Sequence, residues 1–120
     1  MATINIGQDF SLDPLGRFYS DGDGSGEAFR EDVLKPCLLN LKEGEKVEII
    51  LDDGVESYGS SFLVEGFAGL VKYGYFRSDE LLDKLTFRFS DEDFAFYRDK
   101  ILSYIKAAKF ESKKYIPTNK

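Results

Sequence analysis

The sequence predicts a small α/β protein in which helices pack on a mixed β-sheet. Short β-branched runs alternate along the chain with segments whose apolar residues recur at helical spacing. The 120 residues suit one domain, and 11 of them are phenylalanine, which needs no polar partner in a dry core. We expect a single domain over residues 1–110 and a basic C-terminal tail over 111–120 that extends into solvent.

The N-terminal part of the chain predicts a hairpin and a loop. Residues 3–6 alternate in polarity, which indicates a strand. Turn residues follow at Asp13-Pro14, and Arg17-Phe18-Tyr19 predicts the second strand of a hairpin. The Gly-rich stretch 21–26 then predicts a loop that leads into a helix.

The middle of the chain predicts a helix followed by a central strand. Apolar residues stand four apart from Phe29 to Leu41, and Pro36 should kink or divide this helix near residues 32–35, because proline lacks a backbone donor. Residues 47–51 form a nearly continuous apolar run, which is typical of a strand buried on both faces.

The remaining elements complete the alternation of strands and helices. The serine pair at 60–61 predicts the start of a helix that ends at Gly74, and Ser78 opens a shorter one. Residues 85–89 alternate as a half-buried strand does, and residues 90–93 open a last amphipathic helix.

Charge and composition exclude several classes of function. The net charge is −6, and residues 106–120 carry five Lys against one Glu, so the rest of the chain carries −10. An acidic body repels phosphate backbones, so we expect no nucleic-acid partner. The chain has no His, which excludes hydrolase triads and most transition-metal sites.

Location and cofactors are also constrained by the sequence. No apolar run approaches the roughly 20 residues of a membrane helix, and the N-terminus lacks the pattern of a signal peptide. The single Cys37 cannot form a disulfide within the chain. No phosphate-binding glycine motif is present, so we expect no cofactor, and we expect no metal either. The absence of a membrane helix, a signal peptide and paired cysteines favours a cytoplasmic protein without a membrane contact.

The Gly-rich loop offers two candidate ligand sites. Calcium is the weaker one. Side-chain oxygens alternate as they do in a calcium loop, but a short Asp takes the last position. The candidate calcium ligands are Asp21, Asp23, Ser25 and Asp32. The other is an anion site formed by backbone N–H groups and flanking guanidiniums: Arg17, Gly24, Ser25, Gly26 and Arg30. Internal salt bridges of Arg17 and Arg30 with nearby acids are the alternative, as is a plain flexible turn.

The segment from the central strand to the serine pair is the most informative one. A buried strand runs to an exposed turn, and Ser60 and Ser61 then stand at a helix N-terminus, where backbone donors and the helix dipole favour negative charge. Either serine is therefore a candidate phospho-acceptor, and an unmodified double-Ser cap is the alternative. A small enzyme that uses the carboxylates of Asp52, Asp53 or Glu65 is a further hypothesis, although nothing else in the sequence converges on them.

Two blocks of residues together resemble a bacterial family of STAS-like domains of unknown function. The first block spans residues 16–36, and the second reads Tyr58-Gly59-Ser60-Ser61-Phe62-Leu63, continuing to Leu70. The resemblance implies a STAS-like mixed sheet of about four strands with helices mainly on one face, the fold of anti-anti-sigma factors. In such regulators a serine at a strand-to-helix turn is phosphorylated by a partner kinase. Ser60 matches that serine, while Gly59 and Phe62 stand where an Asp and a Gly would be.

The resemblance implies a regulatory module that is not an enzyme. Its partner would be a histidine-kinase-like ATPase of the anti-sigma type. The partner would dock on residues 57–62 and on the face of the helix that follows. The residues expected to contact it are Tyr58, Gly59, Phe62 and Glu65. The alternative is a free-standing acidic inhibitor or adaptor of host or phage machinery without a phospho-cycle.

Overall fold

Three strands form one parallel sheet in the computed structural model, which describes residues 2–118. They are β1 (Ala2–Asn5), β2 (Val47–Ile50) and β3 (Leu85–Arg88), and β2 lies between the other two. Parallel neighbours cannot be joined by a tight turn, so helices occupy both connections. The predicted strands over residues 3–6, 47–51 and 85–89 are confirmed to within one or two residues.

Five helices accompany the sheet in the described residues. Helix α1 spans Ile6–Asp9, α2 spans residues 26–39, α3 residues 60–72, α4 Ser78–Lys84 and α5 Ala95–Ala107. Short 3₁₀ turns lie at Tyr19–Asp21 and Glu92–Phe94, the second of which leads directly into α5. No helix in residues 2–118 is long and apolar enough to cross a membrane.

Helices α2 and α3 each contain a π-helical stretch. In α2 it covers Phe29–Leu34, directly before the segment that contains Pro36. The N–H of Lys35 donates to the carbonyl of Arg30, one residue farther back than in an α-helix. The irregularity expected from Pro36 is therefore a widened turn, and the helix is not divided. In α3 the π-helical stretch covers Val64–Ala68.

One face of the sheet packs on the core. Ile4, Ile49 and Phe87 are in register across the strands, and Ile4 and Ile49 are buried. The alternate positions of β2, Glu48 and Ile50, are only partly buried. The central strand is thus covered on one face, which corrects the expectation of burial on both.

Phenylalanine rings hold the helices against the sheet. Phe29 of α2 lies 5.4 Å from Phe10, 5.5 Å from Phe62 and 5.4 Å from Phe67, measured between ring centroids. Phe29, Phe62 and Phe67 are fully buried. This cluster joins α2 and α3 across the middle of the core.

The predictions of an N-terminal hairpin and of a fourth strand are wrong for the described residues. Residues 17 and 18 form a bend, and their N–H groups both donate to the carboxylate of Asp21, at 3.0 and 2.9 Å. A side chain thus takes the donors that a sheet ladder would need. The sheet in residues 2–118 has three strands, all parallel, and is not mixed.

Replacement of Phe29 by alanine should lower the free energy of unfolding by about 3–5 kcal/mol, because it leaves a cavity among three other rings. Urea denaturation of the purified protein measures this loss. Phe96→Ala is the matched control, since Phe96 is 60% exposed and its removal should change stability by less than about 0.5 kcal/mol. Equal losses in the two variants would contradict this account of the core.

Candidate functional site

The serine pair lies at the N-terminus of α3. The chain leaves β2, runs through an irregular loop and enters the helix at Ser60, with Gly59 in extended conformation as the N-cap residue. Ser60 is exposed and Ser61 is half-buried. Glycine has no side chain to offer, and no described side chain caps this helix end, so neither serine acts as the predicted cap.

A shallow cavity of about 720 Å³ lies beside the serines. Its other wall is the loop that contains Leu15, Arg17 and Asp21. The N–H of Gly59 donates to the carbonyl of Pro14 at 3.5 Å and holds the two walls together. The cavity therefore combines two hydroxyls, a guanidinium, a carboxylate and an exposed leucine.

Arg17 connects this cavity with the interior. Its Nη2 donates to Ser61 Oγ at 3.4 Å, and its Nη1 lies 3.5 Å from Oε1 of Glu65. The Arg17 side chain is 37% exposed, whereas that of Glu65 is fully buried. A change of charge at the serines would therefore act on a cation that is also bound to the core.

A buried ion pair links α2 to α3. Nη1 of Arg30 donates to the carbonyl of Glu65 at 2.8 Å and to its Oε2 at 2.9 Å, and both side chains are fully buried. Nε of Arg30 donates to Glu31 at 2.7 Å, while the Tyr73 hydroxyl donates to Glu65 at 2.5 Å. Nη2 of Arg30 is buried and has no hydrogen-bond partner in the described residues.

The surroundings of Glu65 favour its charged form. Burial alone would raise the pKa of Glu65, but the hydrogen bond from Tyr73 and the charges of Lys72 and Arg30 outweigh it, so the pKa is lowered. Burial also opposes the charge of Arg30, and the contacts with Glu31 and Glu65 raise its pKa nonetheless. The pair is thus ionised at neutral pH.

The C-terminal segment packs against the same region. The Tyr115 hydroxyl donates to Glu27 at 2.5 Å, and the N–H and hydroxyl of Thr118 both donate to Glu27, which is fully buried. The N–H of Glu111 donates to the carbonyl of Val71. The segment 111–118 is therefore attached to the body of the protein at these residues, while residues 111–114 and 116–117 are exposed as in the expected tail.

The sequence model of one protein family, described as a STAS-like domain of unknown function, matches residues 25–93. The chain belongs to this family. The match includes α2, β2, α3 and β3, and with them Arg30, Ser60 and Glu65. No curated protein and no solved structure matches the chain.

In this STAS-like domain the Gly-rich loop ends where α2 packs against α3. Ser25 is buried and its Oγ accepts the N–H of Ala28, while the N–H of Gly26 donates to Gly16. A Cβ on Gly26 would lie 2.7 Å from the carbonyl oxygen of Phe62, so α2 and α3 touch there. Of the backbone donors proposed for an anion, the N–H of Gly26 is engaged within the protein, and the carbonyl of Gly24 accepts from the N–H of Leu15.

The two arginines follow the salt-bridge alternative. Arg30 is sealed in the core with Glu31 and Glu65, so it does not face a ligand in the loop. Arg17 bonds Ser61 and Glu65. Glu31 is adjacent to Arg30 in the sequence, whereas Glu65 stands 35 residues farther along the chain and was not predicted as the partner of an arginine.

The calcium alternative has no support in the STAS-like domain. Among residues 2–118, no group of three or more Cys, Asp or Glu side chains is placed to hold a metal ion. Asp21 binds the N–H groups of Arg17 and Phe18, which lower its pKa, and Asp32 accepts from Tyr19. Ser25 caps α2, and Asp23 is exposed. These oxygens serve separate local contacts.

Three of the four predicted partner contacts lie in the core. Tyr58, Phe62 and Glu65 are buried, and the Tyr58 hydroxyl donates to the carbonyl of Leu51 at 2.6 Å. Only Gly59 is partly exposed. Phe62 and Glu65 stand three residues apart on α3, so they share one face of the helix, and both are fully buried.

The carboxylates considered for catalysis do not form one cluster. Asp52 accepts the N–H groups of Ser90 and Asp91, both at 2.8 Å, and Asp53 accepts from the Asn5 side chain at 2.7 Å. These bonds join the ends of the strands. Glu65 belongs to the buried ion pair instead.

We predict that the protein loses stability as the pH falls below about 4.5, the ordinary value for a Glu side chain. Glu27 and Glu65 both have a lowered pKa in the folded state, so their contribution is complete above that pH and disappears as each becomes protonated. Urea midpoints between neutral pH and about pH 3 measure the slope. Glu65→Gln should flatten it, and an unchanged slope would refute this assignment.

Loss of the Tyr115 hydroxyl should also destabilise the fold. Tyr115→Phe leaves buried Glu27 with one donor fewer, at a cost of about 1–3 kcal/mol in the free energy of unfolding. Ile116→Ala is the control in the same segment, because Ile116 is 73% exposed and should contribute less than about 0.5 kcal/mol. If thermal unfolding gives the same midpoint for both variants, the segment is not docked in solution.

Proposed function

We propose that this STAS-like domain is a cytoplasmic regulatory module, without catalytic activity of its own, that binds a protein partner through the surface around Ser60. The partner is an ATPase of the histidine-kinase-like, anti-sigma type. The observation that carries the proposal is the exposed Ser60 hydroxyl at an uncapped helix N-terminus, beside a cavity that another molecule can enter. The matching family supports the STAS-like fold.

Ser60 is the proposed phospho-acceptor, with Ser61 as the second candidate. The partner would transfer the γ-phosphoryl group of ATP to Ser60 Oγ; the hydroxyl loses its proton and ADP leaves. Helix α3 has 13 residues, and its first N–H groups favour the added negative charge. The half-exposed Arg17 lies within reach of the pair, whereas Asp21 on the same cavity wall would repel a phosphate.

Apolar contact with the partner would come from Leu15. Its side chain lines the cavity and is 66% exposed, unlike the buried Tyr58 and Phe62. An unmodified serine is easily desolvated beside Leu15, but a phosphate carries about −1.5 to −2 charges that resist burial. Phosphorylation would therefore weaken docking and release the partner.

Replacement of Ser60 by aspartate should reduce partner retention about tenfold, because it introduces a charge that must be desolvated, whereas Ser60→Ala should retain the partner. The immobilised variants are exposed to extract of the source cells, and the bound ATPase is quantified by mass spectrometry. Ser103→Asp is the control, since Ser103 is exposed on α5, outside the cavity. Equal retention by Ser60→Asp and Ser60→Ala would rule out the serine switch.

An acidic inhibitor or adaptor is the second candidate function. Exposed acids cluster in sequence at Asp79, Glu80 and Asp83 of α4 and at residues 91–93 before α5. In this case the acidic surface itself would be the interface, and salt would weaken binding strongly. The same experiment separates the two proposals, because this partner would be released by salt and would be indifferent to changes at Ser60.

A further inference from the structure

A second cavity lies between α3 and the end of α5, lined by other residues than the serine cavity. Its volume is about 350 Å³, which is within the size range of small-molecule sites. Val64 and Ala68 of α3 form one wall, and Tyr104 and Ala107 of α5 form the other. The interior of this groove is therefore mostly apolar.

The lining of the groove also includes basic residues. Lys72 and Lys109 line it, with Ser112 beside them. Nζ of Lys72 lies 3.4 Å from Glu65 Oε1 and 4.9 Å from the centroid of the Tyr73 ring. Lys109 is exposed. Two cations over an apolar floor favour a ligand that is apolar at one end and anionic at the other.

The backbone at the groove is itself irregular. Val64–Ala68 is the π-helical stretch of α3, and both of its end residues line the groove. Such widened turns are rare and occur frequently at functional sites. Ala68 and Ala107 leave the space open, because larger side chains at these two positions would fill it.

We propose that this groove binds a small amphipathic anion, an aromatic or aliphatic group that carries a carboxylate, sulfonate or phosphate. The apolar part lies against Val64, Ala68 and Tyr104, and the anionic group lies between Lys72 and Lys109. This site shares no residue with the cavity at Ser60 and does not depend on the function proposed for it.

Anilinonaphthalene sulfonate is a suitable probe, because it joins a fluorescent apolar body to one anionic group. We expect saturable binding with one site per chain, followed by fluorescence titration of the intact protein. Lys109→Glu should weaken binding about fivefold by replacing attraction with repulsion. Lys106→Glu is the matched control, since Lys106 is exposed on α5 but does not line the groove, and it should bind like the unaltered protein.

Steric closure gives an independent test. Ala107→Phe places a ring at the groove from an exposed helix position and should abolish saturable binding, whereas Ser103→Phe, one turn earlier and outside the groove, should not. Amide shifts in NMR spectra should move at Val64, Ala68 and Ala108 when the probe is added. Binding that survives Ala107→Phe, or equal affinity for the uncharged analogue phenylnaphthylamine, would overturn the proposal.

Discussion

The buried ion pair between Arg30 and Glu65 is the constraint on which the arrangement of the helices depends. Both side chains are fully removed from water, so neither charge is tolerable without the other. The pair joins the middle of α2 to the middle of α3, and two tyrosine rings lie over the guanidinium at 4.6 and 4.8 Å. One of those rings belongs to Tyr115, so the C-terminal segment completes the same cluster.

Close approach of the two helices makes this pairing achievable. A Cβ on Gly69 would lie 2.7 Å from Nη1 of Arg30, and one on Gly26 would lie 2.7 Å from the carbonyl oxygen of Phe62. Glycine at these positions lowers helix propensity, but it lets the guanidinium reach across to α3. Helix α3, which begins with the serine pair, is thereby held close to α2.

Periodicity predicted most of the secondary structure, because strands and helices with one buried face leave a repeat in the sequence. The central strand follows from that repeat, whereas the start of α3 at Ser60 was predicted from the serine pair, although Gly59 is the N-cap residue. It could not show that Glu65 is a core residue, since a charged side chain on a helix is usually solvated. The isolated acid among Phe62, Leu63 and Phe67 was the available signal. The docked C-terminal segment has no repeat at all, and its contacts with Glu27 are fixed only by tertiary structure.

Glu65 also connects the two surface sites along α3. Its Oε1 lies 3.5 Å from Nη1 of Arg17, which lines the serine cavity, and 3.4 Å from Nζ of Lys72, which lines the basic groove. A negative group at either site would attract the cation of that site, Arg17 or Lys72, away from the carboxylate of Glu65, which both cations share. The remaining cation would then be held more firmly by Glu65 and become less available to a second anion. Linkage requires this effect to be reciprocal, so an anion in the groove and a phosphate at Ser60 should oppose each other's binding.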